Sequence, residues 1–541
     1  MKDDPGTQVI QVETSSLSKR VARALPVTLI ALGLGLAAEC LFYDRAVGVS
    51  FPLWVMLGAV GLLLAARVEG ARPARDGLML LLPILALSWM TFLRSEPFTV
   101  FLSAAGTLFG FALWVRTFRT GGWLGFGWLD FILAGAWVPL ESWLRPWPTL
   151  AAAWRRAVGE KGSRSRGAAV LRGVLLALPA LAVFTALLAS ADLIFGQWVE
   201  LAFSWLDLEW LMEALGRLIF ALIVALFSLG AIVSALLRAQ RRPGLGEEKP
   251  LIRPFIGFIE SAIVLGAVDV LFILFVLVQF RYFFGGEANI SLAGYTYSEY
   301  ARRGFGELVT VAALSLGLIL TLGYVGRREG HQKRAFFGLS ALQVALVGVM
   351  LVSALERLLL YENAYGFTRL RTYTHVFIPW LALLLVSFLL TLYLGQLRRF
   401  APAAVLAVLG FTLTLGLLNV DAFIARQNIR RYETGGEIDV PYLASLSTDA
   451  LPLLVELARQ AELDVSEELL PALACHAWSL ENRMEEQGWP SLHHSQSTAL
   501  RSLKSLEALD PYKIVRDEEG FWVANGPEGT MVCGYSKNSL R

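Results

Sequence analysis

Along the first 418 residues, apolar runs alternate with short charged connectors. Runs of about 18 or more apolar residues match the ~30 Å hydrocarbon core of a bilayer. The pattern predicts spans at about 24–42, 51–66, 78–92, 98–115, 173–189, 215–237, 255–280, 308–325, 336–356, 376–394 and 401–418. The expected fold is therefore an all-α polytopic membrane helix bundle of about 11 transmembrane helices. The stretch 123–150 is different: it carries Asp130, Glu141, Pro139, Pro146, Pro148 and five tryptophans, which suits the headgroup region better than the bilayer centre.

From Asn419 the pattern becomes that of a soluble module. Amphipathic helices are expected over about 449–460, 465–487 and 496–508, with Asp449 and Asp464 as caps and Asp464-Val-Ser-Glu467 as a capping box. Alternation around Tyr512–Val515 and Phe521–Ala524, with Asp517-Glu-Glu-Gly520 between, predicts a closing β-hairpin. The chain divides into a cytoplasmic polar N-terminus (1–23), the transmembrane domain (24–418, interfacial at about 123–150) and a small, mostly helical, extracytoplasmic C-terminal domain (419–541).

Composition agrees with this pattern. Hydrophobic residues make up 56% of the chain, charged residues 17%, and mean hydropathy is +0.57, against ~25% charged in soluble domains. A net charge of +2 gives no reason to expect nucleic acid. The three cysteines, Cys40, Cys475 and Cys533, are too few for a disulfide framework or a structural zinc site. If the tail is exported, Cys475 and Cys533 either pair or remain two thiols. The first span lacks an A-x-A cleavage pattern and reads as an anchor, and Glu39 rules out a lipoprotein box at Cys40.

The distribution of charge sets the orientation. With 11 spans and the N-terminus inside, one set of connectors holds 27 Lys and Arg and the other only 9 outside the tail. The positive-inside rule then places the N-terminus in the cytoplasm and the tail outside it, in a bacterial inner membrane. A twelfth span at 123–150 would move the seven-charge connector 145–172 to the wrong side.

The outward connectors are unusually rich in aromatic and charged residues. They supply a candidate outer-face polar site of Asp192, Arg281, Glu299, Tyr300, Arg302, Arg303, Glu307, Tyr365, Arg369, Arg371, Asp421 and Arg426. Arginines kept against the orientation rule need either carboxylate partners within the protein or an anionic ligand, and the guanidinium fork binds both. Inside the spans, Asp269 sits mid-run and is a candidate intramembrane carboxylate, since such a group costs about 2.5–3.5 kcal/mol on insertion scales. Glu260, nine residues earlier, falls on the opposite face. Glu39 and Gln343 are expected to hydrogen-bond across the bundle.

Motifs for catalysis are missing: no Walker loop, G-x-G-x-x-G after a strand, H-E-x-x-H or G-x-S-x-G occurs. Cys475-His476 and His493-His494 lack the spaced partners of a metal site. No cofactor, metal or reaction class is expected. The basic run from Arg155 to Arg172 suits anionic headgroups.

Ser190-Ala-Asp-Leu-Ile-Phe195, Tyr300-Ala-Arg-Arg-Gly-Phe305, Ala364-Tyr-Gly-Phe-Thr-Arg-Leu-Arg371, Asn419-Val-Asp-Ala-Phe-Ile-Ala-Arg426 and Tyr442-Leu-Ala-Ser-Leu-Ser-Thr-Asp449 resemble, in this order, stretches of a bacterial multi-pass membrane family of unknown function (DUF4153/DUF4173-like). The resemblance covers roughly 170–455; it implies a bacterial inner-membrane protein and brings no substrate or catalytic residue.

Three functions are expected from these features. The protein senses or handles an anionic or lipid-linked envelope component at the outer-face site; or it is a proton- or ion-coupled transporter using Asp269; or it is a non-enzymatic scaffold whose 433–541 tail meets a periplasmic partner. A membrane enzyme at the outer leaflet is a variant of the first. The lipid bilayer is a partner in every case.

Overall fold

A computed structural model of the protein describes residues 21–158, 208–238, 254–283, 305–460, 463–486, 488–518, 521–527 and 529–535, with scattered positions between 173 and 198. The helices of the apolar region are α1 (Ala24–Phe42), α2 (Ser50–Glu69), α3 (Arg75–Met79), α4 (Leu81–Leu93), α5 (Pro97–Thr117), α6 (Trp128–Leu144), α7 (Pro146–Val158), α8 (Leu208–Leu237), α9 (Phe258–Phe283), α10 (Phe305–Val325), α11 (His331–Tyr365), α12 (Arg369–Tyr393) and α13 (Phe400–Leu418). Among the described residues, ten helical stretches are long and apolar enough to cross a membrane, α3 with α4 counting as one. The span expected at 173–189 lies outside the described residues apart from single helical positions. Helix ends run past the apolar runs: the span expected at 336–356 occupies His331–Tyr365, because polar residues that leave the hydrocarbon still extend the backbone ladder.

The two ends of the bundle are distinct. At the basic end, Glu69 accepts the backbone N–H groups of Ala22 and Arg23 at 3.0 and 2.5 Å. There Arg119 donates to the Leu236 carbonyl at 2.6 Å and Arg156 to that of Ala22 at 2.7 Å. At the other end, the domain end, Arg94 donates to the Gly416 carbonyl at 2.6 Å, and Arg217 lies 3.5 Å from Glu39, the cross-bundle partner expected of that carboxylate.

Two packed groups make up the bundle. Helices α1, α2, α4, α5, α6, α7 and α8 share one buried core around Trp114, Phe118, Leu62 and Leu229. Helices α9 to α13 share another around Phe336, Phe388, Leu265 and Ile319. α13 joins them, with Ala401 in the first core and Phe400 and Ala404 in the second. With no hydrophobic drive between helices in lipid, close approach of small residues supplies contact area; a Cβ on Gly35 would strike the Ala221 carbonyl, so α1 and α8 touch backbone to backbone.

Helices α6 and α7 form a hairpin that starts and finishes at the basic end. Asp130, in the first turn of α6, caps the Gly127 N–H at 2.9 Å and pairs with Arg398 at 2.9 Å. Arg156, near the end of α7, reaches Ala22. Between them the hairpin climbs the bundle: Ser142 abuts Gly230, seven residues from the end of α8 at Leu237, a rise of about 10 Å. Glu141 near the tip is buried and paired with Arg145 at 3.2 Å and Arg238 at 2.5 Å.

The C-terminal domain contains α14 (Val420–Glu433), α15 (Val440–Ala444), α16 (Leu451–Gln460), α17 (Leu463–Glu486) and α18 (His494–Lys504). Three strands follow, β1 (Lys513–Arg516), β2 (Phe521–Gly526) and β3 (Gly529–Tyr535), in an antiparallel meander. The expected hairpin thus gains a third strand, whose glycine-bounded sequence Gly529–Tyr535 gives little alternation to read. α17 is described from Leu463, and the side chain of Asp464, expected as its cap, lies outside the described residues. Cys475 on α17 and Cys533 on β3 form a disulfide, which ties the sheet to the helices. The domain core is continuous with the bundle, since Val376 and Leu415 join Val420, Ile424, Leu454 and Leu469 in one cluster.

Candidate functional site

A line of hydrogen-bonded polar side chains runs along the junction of the bundle and the C-terminal domain. It begins where Asn419, at φ 57°, turns the chain sharply between α13 and α14, a conformation Asn tolerates better than most residues. That turn buries Asp421 completely. Arg369, in the first turn of α12, meets its two carboxylate oxygens with Nε at 2.8 Å and Nη2 at 2.6 Å. The Ser447 N–H donates to the same carboxylate at 2.7 Å, and the Arg369 N–H donates to the Tyr442 hydroxyl at 2.9 Å. Burial pushes the Tyr442 phenol up from its ordinary value, against the opposing pull of Arg369. One aspartate therefore clasps α12, α14 and the loop before α16.

One turn further along α12, Tyr373 donates to Glu96 at 2.6 Å. Glu96 also caps α5, accepting from the Phe98 and Thr99 N–H groups at 2.8 and 2.7 Å, with Pro97 preset for the first helical position. Next to it, Asp449 accepts the Ser95 N–H at 2.7 Å and the Glu96 N–H at 3.2 Å. Asp449 was expected to cap α16; it anchors the α4–α5 connector instead, because α16 begins only at Leu451. The hydroxyls of Ser95, Thr448 and Ser495 close the line, 2.7 to 3.0 Å apart.

The sequence-predicted site residues fare unequally. Arg369 and Asp421 come together. Arg371 is engaged by the carbonyls of Gly366 and Tyr365 and lies 3.9 Å from the Tyr361 ring centroid. Tyr365 packs edge to face against Tyr361 and stays half exposed. Arg426 is exposed on α14, and Glu307 is exposed in the first turn of α10. Asp192 is exposed and accepts the Phe195 N–H at 2.8 Å, a local turn apart from the junction. The side chain of Arg281, and all of Glu299, Tyr300, Arg302 and Arg303, lie outside the described residues. Glu96, Tyr373 and Asn428 have no counterpart among the expected site residues, and Asp449 is expected only as a cap; Asn428 brackets Phe367 by accepting its N–H at 2.7 Å and donating to its carbonyl at 2.9 Å. The Glu96-Pro97 pair, a cap followed by proline, was the one local signal available.

His476 and His493 are structural in their contacts. His476 bonds the Ala444 carbonyl at 2.8 Å, and His493 packs against Phe92 at the junction. Burial lowers both imidazoles below their ordinary value. Among the described residues, no group of three or more His, Cys, Asp or Glu is arranged to hold a metal ion. In the second core, Asp269 is buried, and neither of its oxygens has a hydrogen-bond partner among the described residues. Gln343 is likewise buried and unpartnered, contrary to the cross-bundle bond expected of it.

The chain matches, over residues 81–457, the model of a family described as Domain of unknown function (DUF4153). The protein belongs to the DUF4153 family. The match spans both sides of the clasp, taking in Glu96, Arg369, Asp421 and Asp449, while Ser495 and the Cys475–Cys533 disulfide lie beyond it. No curated protein and no solved structure matches the chain.

Proposed function

We propose that this DUF4153 protein is a non-enzymatic membrane platform that presents its C-terminal domain, rigidly oriented, to an envelope partner. The observation that carries this reading is the Arg369–Asp421–Ser447 clasp, continued through Tyr373–Glu96 and Ser95–Asp449. These bonds join α5 and α12 to the domain, so a load on the domain reaches two helices of the bundle directly. Arg369, which could attract an anion, is instead neutralised by the buried Asp421, and this favours a structural role for it.

The disulfide supports an extracytoplasmic domain, because such bonds persist in oxidising compartments. The basic connectors support a cytoplasmic opposite end in a bacterial inner membrane. A second reading, recognition of an anionic or lipid-linked envelope component on the same face, rests on Arg426 and Arg430, which stay exposed on α14.

Deleting 433–541 while keeping the bundle tests the platform. The expected result is a cellular phenotype equal to that of the full deletion; a silent truncation overturns it. R426A/R430A in the full chain isolates the second reading, which fails if that variant behaves as wild type.

A further inference from the structure

Asp269 lies on the buried stripe of α9, between Leu265 and Phe272, eleven residues after the helix begins at Phe258. At 1.5 Å per residue that is about 16 Å into the bundle. The residue is 2% exposed, and both carboxylate oxygens lack a partner among the described residues. α9 packs along α11 and runs parallel to it. On α11, Gln343 is fully buried in the apolar stretch, and Ser340, one turn away, is buried too; among the described residues neither the amide atoms nor the hydroxyl has a partner. Ser315, on the buried stripe of α10, faces the same core and donates to the Val311 carbonyl at 2.7 Å.

Among the described residues, the helices of this core carry no charge besides Asp269 along the stretches that pack there. Between Ala335 and Leu355 of α11, and between Leu308 and Val325 of α10, there is no charged residue, and α12 has none after His375 up to its end at Tyr393. On α9 itself Glu260 is exposed on another face. A bare carboxylate in such surroundings costs far more than a neutral acid, and buried polar groups without partners mark places where something else binds.

We propose that Asp269, with Gln343 on the neighbouring helix of the same α9–α11 core, is a proton-binding site inside the bundle. One carboxylate oxygen takes a proton from bulk hydronium, forming an O–H bond and leaving water; release reverses the step. The neutral acid offers a donor suited to the Gln343 amide oxygen, and the amide N–H a donor suited to the acid carbonyl. This goes beyond the platform reading and is independent of the clasp, giving the bundle the element a proton-coupled step requires. The donors are too few for a sodium ion, which takes several oxygen ligands.

Infrared difference spectroscopy on the full-length protein in lipid nanodiscs tests the site. The expected result is a protonated-carboxyl band at neutral pH that is lost in D269N, kept in E260Q, shifted in D269E and moved in frequency in Q343L. D269E and the wild-type pH titration keep the test valid if D269N does not fold. A band unaffected by D269N, or an ionised Asp269 at neutral pH, overturns the proposal. So does a carboxylate signal that responds to sodium at constant pH, which would make the site a metal-cation site.

Discussion

Arg369 and Asp421, 52 residues apart in sequence, share a two-pronged ion pair in which the carboxylate is fully buried and the guanidinium side chain is 32% exposed. The two halves are therefore not equivalent. R369A strands a buried carboxylate and is expected to destabilise by about 3 kcal/mol, the low end for breaking a buried pair. D421N leaves a guanidinium that water still reaches and an amide oxygen that still accepts from Ser447, so about 1–2 kcal/mol is expected. Thermal melts of both variants in detergent check the order; equal losses would mean that the pair is effectively solvated.

Tyr373 and Glu96 form the second tie, and Glu96 also caps α5. Y373F removes one charge-assisted bond, worth about 1.5–3 kcal/mol at most. E96A removes that bond and the cap, adding about 1 kcal/mol. A double-mutant cycle on full-length protein is expected to give a coupling of about 1 kcal/mol; strict additivity would show that the bond contributes nothing.

The junction is expected to weaken in acid. Burial lowers His476 and His493 below the ordinary 6.5. As pH falls, the unfolded chain then takes up protons first, so stability rises with pH across this window. It is complete above about pH 6.5 and is lost as pH falls through the lower folded values. Melting temperatures measured between pH 7.5 and 5 should decline in the wild type, with a shallower slope in H476Q/H493Q. An unchanged slope would assign the acid sensitivity to other groups.

The disulfide closes a loop with a sequence separation of 58 and fastens β3 to α17. Reduction, or C475S/C533S, is expected to cost the C-terminal domain about 3–4 kcal/mol. Limited proteolysis should then cut within 513–535 before any cleavage in the bundle. Protection that survives reduction would leave the sheet held by packing such as Trp478 against Trp522.

Membrane-impermeant thiol labelling addresses the α6–α7 hairpin. With Cys40 replaced by serine, cysteines at Gly125 and Arg156 are expected to react from the same side of the membrane, and one at Val138, buried within α6, from neither. Labelling of 125 and 156 from opposite sides would turn the hairpin into a crossing.

The apolar runs announced ten of the described spans because each has to satisfy its own backbone within hydrocarbon, so length and composition alone mark it. The partners at the junction were much less legible. Arg369 and Asp421 each stood out as charges at span ends, yet nothing local joins residues on two helices separated by a third. Asp449 misled for the opposite reason: a carboxylate just before a helix reads as a cap, and only the approach of Ser95, 354 residues away, redirects it. Asp269 was visible because mid-run charges are rare, whereas Gln343 looked like an ordinary cross-bundle donor.

Gly230 gives the hairpin its depth. Its bare α-carbon lets the Ser142 carbonyl rest directly on α8, where a methyl group would collide with backbone. Alanine at that position would wedge the two helices apart and drive Glu141 and Arg145 toward the headgroups, so how far this wedge reaches into the lipid is set by a single absent carbon.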